Sequence, residues 1–177
     1  MKRNYWLVIC LLPLLLGGCN LPAVEAEAEN LLLAEFTESY VSVSILLEHS
    51  GEEDGVLMAT FTPTETDAHL YSMELPLEGI DGLGRPTLLA LAPGAFMQVA
   101  GELQESQPSE EQVVAPDLPA LPVYPAGAVT LRLPILLPEG EGELIADQVL
   151  VTYMSCTPRG CHKPVVERLV DVRVPCK

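Results

Sequence analysis

From Tyr40 onward the chain alternates between apolar and polar positions. Val41, Val43, Ile45 and Leu47 fall on one side of an extended segment, with Ser42, Ser44 and Leu46 on the other. That period of two predicts a half-buried strand. H-S-G-E-E-D-G reads as a turn, and V-L-M-A-T-F-T as a second strand with Leu57, Ala59 and Phe61 on one face. H-L-Y-S-M-E-L-P-L predicts a third, carrying His69, Tyr71, Met73, Leu75 and Leu77 on one side. G-I-D-G-L-G-R-P breaks the chain, and T-L-L-A-L-A is a further short strand. A-V-T-L-R-L-P-I-L-L resumes the alternation, with Val129, Leu131, Leu133 and Ile135 inward and Thr130 and Arg132 outward. Beyond the exposed turn E-G-E-G-E come two last strands, Q-V-L-V-T-Y-M-S-C and V-V-E-R-L-V-D-V-R-V. Short strands, Gly/Pro turns and no long helical period predict an all-β antiparallel sandwich.

Two stretches lack this period. Residues 101–127 are rich in proline and acid, a long loop of the kind that is often a lid or mobile. The N-terminus begins M-K-R-N, continues with about a dozen apolar residues and closes with G-G-C-N, a secretory signal layout too short for a comfortable membrane span. Leu16-Gly17-Gly18-Cys19 resembles a bacterial lipobox. The expectation is a signal peptide over 1–18, an acylated Cys19 that anchors the protein to a membrane, an acidic tether over 19–37, and one domain over 38–177. L-L-L-A-E-F reads either as the last turn of the tether or as the start of the domain.

Charge is unevenly distributed. The chain has 177 residues and a formal net charge of −16. Residues 19–147 carry 23 acidic and 2 basic side chains, a balance of −21. Residues 148–177 carry Arg159, Lys163, Arg168, Arg173 and Lys177 against Glu167 and Asp171, a balance of +3. So acidic a body disfavours nucleic acid and anionic lipid surfaces as partners.

The basic region surrounds the motif M-S-C-T-P-R-G-C-H-K-P. Export places the chain where disulfides persist. Cys10 leaves with the signal peptide and Cys19 carries lipid, so Cys156, Cys161 and Cys176 remain. Pro158-Arg159-Gly160 is good turn chemistry, and on a hairpin the flanking cysteines lie opposite one another, within disulfide reach. Three readings stay open on residue types alone. A structural staple closing so short a loop gains little in the chain-entropy model. Redox exchange has a source in Arg159, His162 and Lys163, whose charge favours a neighbouring thiolate, the form that attacks a disulfide. A metal site through Cys156, Cys161 and His162 lacks a second ligand pair, with only His69 and Cys176 as further candidates.

The run V-T-Y-M-S-C-T-P-R-G-C-H-K-P-V resembles the active hairpin of the N-terminal periplasmic domain of the thiol:disulfide interchange protein DsbD family. Tyr153, Cys156, Cys161 and Pro164 fit that family's Tyr-x-x-Cys, turn, Cys-x-x-Pro pattern. D-A-H-L-Y-S and V-Y-P-A-G-A-V-T-L-R-L-P-I resemble its upstream strands, so the similarity runs over about residues 38–175. The resemblance implies an immunoglobulin-like domain performing thiol–disulfide interchange without metal or organic cofactor. Electrons pass from a thioredoxin-like reductant to disulfide-bonded envelope proteins. Carried over by motif, Cys161 forms the mixed disulfide, Cys156 resolves it, and Tyr71 lies near the pair, with Tyr153 a second candidate lining residue. The family covers its cysteines with a cap loop bearing an aromatic residue; here 101–127 holds no Phe, and Leu118 or Leu121 is the candidate cap. The family's full-length protein continues into a membrane electron carrier and a thioredoxin-like domain. If, as expected, this chain acts as a stand-alone lipoprotein of the cell envelope, the expected electron source is a separate membrane thiol reductase or thioredoxin-like protein. The competing expectation is a lipid-anchored binding or scaffold domain whose disulfide is permanent.

Overall fold

The computed structural model describes residues 29–49, 53–113, 119–140 and 144–177. The proposed signal peptide, Cys19, the first part of the tether and Leu118 lie outside them. Fourteen strands follow in order: β1 (Glu29–Glu38), β2 (Val41–His49), β3 (Asp54–Pro63), β4 (His69–Leu70), β5 (Leu88–Leu91), β6 (Gln98–Val99), β7 (Gln104–Glu105), β8 (Glu110–Gln112), β9 (Leu121–Val123), β10 (Val129–Leu136), β11 (Ile145–Tyr153), β12 (Ser155–Thr157), β13 (Gly160–Cys161) and β14 (Val165–Val174). Every strand ladder is antiparallel.

One sheet runs β1-β2-β3-β10, with β6 and β7 both pairing the far side of β10; a second runs β14-β11-β5. Alternation decides which faces meet. Val41, Val43, Ile45 and Leu47 join Leu57, Ala59, Phe61 and the inward residues of β10. They pack against Val149, Val151, Tyr153, Val170, Val172 and Val174 from the second sheet. Each such side chain contributes about 1.5–3 kcal/mol on full burial. The result is the all-β antiparallel sandwich that the alternation implied, of the immunoglobulin-like kind that the resemblance implied.

Three expectations change. Glu29–Glu38, placed largely in the tether, is instead a full edge strand paired with β2. Its half-buried Leu33, Ala34 and Phe36 pack on the core, and Arg168 of β14 sits 3.6 Å from the Phe36 ring centre, closing that side. The strand expected over 69–77 stops early: beyond Leu70 the chain makes only isolated bridges from Tyr71, to Pro86 and Val123. Ser72 then turns it, its carbonyl accepting from Leu75 N–H and its hydroxyl from Glu74 N–H. The described residues of the proline-rich segment include β7, β8 and β9, the last two pairing with each other.

A bulge positions the cysteine hairpin. The β11–β14 register shifts between Val151 and Tyr153, where Glu167 adopts φ 47° and its N–H donates to Thr152 Oγ1 at 2.9 Å. Such irregularities bend a strand and redirect the chain beyond them. Past Met154 the chain leaves the second sheet, and β12 and β13 join β4 in a small sheet of order β13-β12-β4.

Candidate functional site

Cys156 and Cys161 are direct partners across β12 and β13, with Cα atoms 4.0 Å apart, and they are joined by a disulfide. The two sulfurs differ in environment. Cys156 is 2% exposed and packs with Tyr71, Leu75, Leu121 and Val123, whereas Cys161 is exposed at the tip. The asymmetry follows from the chain path: Cys156 abuts β4, and Cys161 is on the outer strand of the small sheet.

Tyr71 reaches both sulfurs. Its hydroxyl lies 3.2 Å from Cys156 Sγ and 3.9 Å from Cys161 Sγ. Burial pushes the phenol pKa above its ordinary value, which keeps it protonated and able to donate. Its backbone is held in turn, because the Tyr71 carbonyl accepts from both Thr87 Oγ1 at 2.7 Å and Thr87 N–H at 3.2 Å. Beneath its ring lies Gly84 at φ 73°, where a Cβ would stand 3.1 Å from the ring edge and 2.8 Å from Leu75 Cδ2.

The proposed cap residue Leu121 is 1% exposed and sits in the apolar cluster that encloses Cys156. It arrives there because 121–124 lie along the Tyr71 segment: Ser72 N–H donates to Pro122 O and Tyr124 N–H to Leu70 O. Tyr153, in contrast, is not at the disulfide. It is buried in the main core, edge-on to Phe61 with ring centres 5.6 Å apart, and its hydroxyl donates to Glu38 O at 3.3 Å. The correction is one of strand parity: Tyr153 ends β11 on its core face, before the chain departs for the small sheet.

The basic residues are organised by two groups that no sequence signal marked. Glu65, in the loop between β3 and β4, accepts from His162 Nε2 at 2.6 Å and from Arg159 Nη2 at 3.5 Å. One carboxylate thus ties down both sides of Cys161. Tyr40 stacks its ring on the His162 imidazole, centroids 4.1 Å apart. It is 57% exposed and occupies, with Ser39, a two-residue hairpin turn with both φ positive, 48° and 61°. Lys163 is exposed. In a chain this acidic, Glu65 within T-E-T-D looks like any solvated carboxylate. Among the described residues, no group of three or more His, Cys, Asp or Glu is placed to hold a metal ion.

No protein-family model matches the chain, and no curated protein matches it. Among solved structures it is similar to the crystal structure of the Neisseria meningitidis DsbD n-terminal domain in the reduced form, with 14% sequence identity, 81% of this chain and 82% of that chain covered, and a TM-score of 0.40. A likeness of that size leaves the chemistry to be argued from the residues themselves.

Proposed function

We propose that this domain performs thiol–disulfide interchange in the cell envelope through Cys156 and Cys161. The observation that carries the reading is the inequality of the two sulfurs: one exposed, the other buried beneath a phenol. A partner thiolate attacks the accessible Cys161 Sγ, forming the mixed disulfide. The Cys156–Cys161 bond breaks, and its electron pair leaves on Cys156 Sγ, where the Tyr71 hydroxyl donates to the developing thiolate. Charge-assisted hydrogen bonds of this kind are roughly twice as strong as neutral ones. In the reverse direction the Cys161 thiolate attacks a partner disulfide. The Cys156 thiolate then attacks Cys161 Sγ and expels the partner's thiol. No metal or organic cofactor enters these steps.

Arg159 and Lys163 supply local positive charge at the tip in an otherwise acidic molecule, and Glu65 holds Arg159 and His162 in place. The partners are thioredoxin-like redox proteins or a membrane thiol reductase on one side and disulfide-bonded envelope proteins on the other. Acylated Cys19 holds the domain to the membrane.

The reading is tested by equilibrating the protein with dithiol buffers and measuring the potential of the pair. Structural disulfides of secreted proteins typically sit below about −300 mV, and exchanging ones above that. A value below this mark, or a bond the buffers never open, reduces the molecule to a tethered binding or scaffold domain. A Cys156→Ser variant is expected to accumulate mixed disulfides at Cys161, whereas Cys161→Ser is not.

A further inference from the structure

His69 is in none of the steps above, yet it shares a row with both sulfurs. It is the β4 partner of Cys156, which is the β12 partner of Cys161. Directly facing residues of antiparallel strands project to the same side of a sheet. Cys161, Cys156 and His69 therefore stand side by side on one face, with Tyr71 two residues further along β4's path. The imidazole meets the Tyr71 ring edge-on, with centroids 5.4 Å apart. Its Nε2 is buried and has no hydrogen-bond partner among the described residues. Ser155 Oγ is the other such atom, and its position in β12 puts it on the opposite face.

A buried ring nitrogen without a partner costs free energy. In the disulfide neither sulfur has a hydrogen to donate, so Nε2 as an acceptor finds no donor there. Reduction changes this. A dithiol donor supplies two electrons and two protons, the Sγ–Sγ bond breaks, the donor becomes its own disulfide, and Cys156 gains an S–H beside His69. Resting on the exchange reading, we propose that His69 Nε2 accepts a hydrogen bond from the Cys156 thiol in the reduced domain alone, and so poises the couple toward the dithiol.

The surroundings agree with a neutral, accepting imidazole. Burial holds the His69 pKa below its ordinary value. The groups facing it are Tyr71 on its own segment, Cys156 on β12, Tyr124 past β9, and Asp67, Glu110 and Glu111 around a cavity of about 250 Å³.

The test compares wild type, His69→Phe and His69→Gln in glutathione and dithiothreitol buffers, reading the reduced fraction by alkylation and mass. Phenylalanine removes the orphaned nitrogen from the disulfide form and the hydrogen bond from the dithiol form. Its equilibrium constant is expected to move about tenfold toward the disulfide, ~30 mV for a two-electron couple. Glutamine, which retains an acceptor, is expected to move it less. A folded His69→Phe protein with an unchanged constant overturns the proposal. Should that variant not fold, nitrogen NMR of wild type decides: the His69 Nε2 resonance shifts on reduction, or the proposal fails. A wild-type bond that no buffer opens overturns the exchange reading itself and this inference with it. A bond that opens with no effect of His69 overturns this inference only.

Discussion

The hydroxyl of Tyr71 lies 3.2 Å from Cys156 Sγ, on the buried side of a disulfide whose other sulfur faces solvent. A disulfide sulfur carries no hydrogen, so the phenol is the donor. When the bond breaks, charge appears on the atom it already touches.

Tyr71→Phe removes that donor and leaves no buried polar atom behind. Hydrogen bonds to charged groups are worth about 1.5–3 kcal/mol, and about 1.4 kcal/mol is tenfold in rate. Reduction of the domain by dithiothreitol, followed by stopped flow, is expected to slow by about tenfold or more with the fold intact. A rate within twofold of wild type contradicts the role given to the phenol.

Gly84 supports the same ring from below. An added Cβ meets Leu75 Cδ2 at 2.8 Å and Tyr71 Cδ1 at 3.1 Å, and φ at this position is +73°. Left-handed backbone is costly for alanine. Gly84→Ala is expected to lower stability by roughly 1–3 kcal/mol through strain and overpacking, measured by urea unfolding, and to slow reduction of the disulfide by displacing Tyr71. Unchanged kinetics in a destabilised variant would separate the ring's position from its chemistry.

Tyr153 makes the control. Its hydroxyl donates to Glu38 O at 3.3 Å across the main core. Tyr153→Phe is expected to cost about 0.5–1.5 kcal/mol of stability and to leave the exchange rate unaltered. Loss of exchange activity in a folded Tyr153→Phe protein would move this residue back to the redox site.

Buried phenols also set an alkaline limit. Desolvation and the nearby Glu38 carboxylate push Tyr153 up to about 12, and burial raises Tyr71 and Tyr124 as well. In the unfolded chain tyrosine titrates near ~10. Below pH 10 both states hold the proton and stability is full. Between about pH 10 and 12 the unfolded chain loses protons that the folded state keeps, so stability falls, by roughly 2–3 kcal/mol for Tyr153 alone. Urea midpoints of the disulfide form measured from pH 8 to 12 are expected to drop across that interval. A flat profile would mean these hydroxyls are hydrated.

Much of the sandwich was legible because strand faces obey a period of two. Val41 to Leu47, Leu57 to Phe61 and Val129 to Ile135 are buried in the alternation that their order implies. That Cys156 and Cys161 face each other within disulfide reach was legible as well, since a Pro-Arg-Gly turn between two cysteines makes them cross-strand neighbours. Glu65 and Tyr40 were not legible: an acidic residue in an acidic chain and a turn tyrosine carry no local signal, and their meaning comes from meeting His162 across long stretches of sequence. The early end of the third strand escaped as well, because Met73, Leu75 and Leu77 keep the right alternation while Ser72 turns the backbone beneath them.

By itself the sequence determined the class of fold and set the two hairpin cysteines opposite one another, since both depend on local periodicity and short loops. Tertiary structure alone decided which sulfur is buried, which tyrosine touches it and which histidine stands beside it. Those relations arise where β4, β12 and the 121–124 segment converge. That convergence depends on the bulge before Met154, a departure from regular pairing that no alternation of apolar and polar residues encodes.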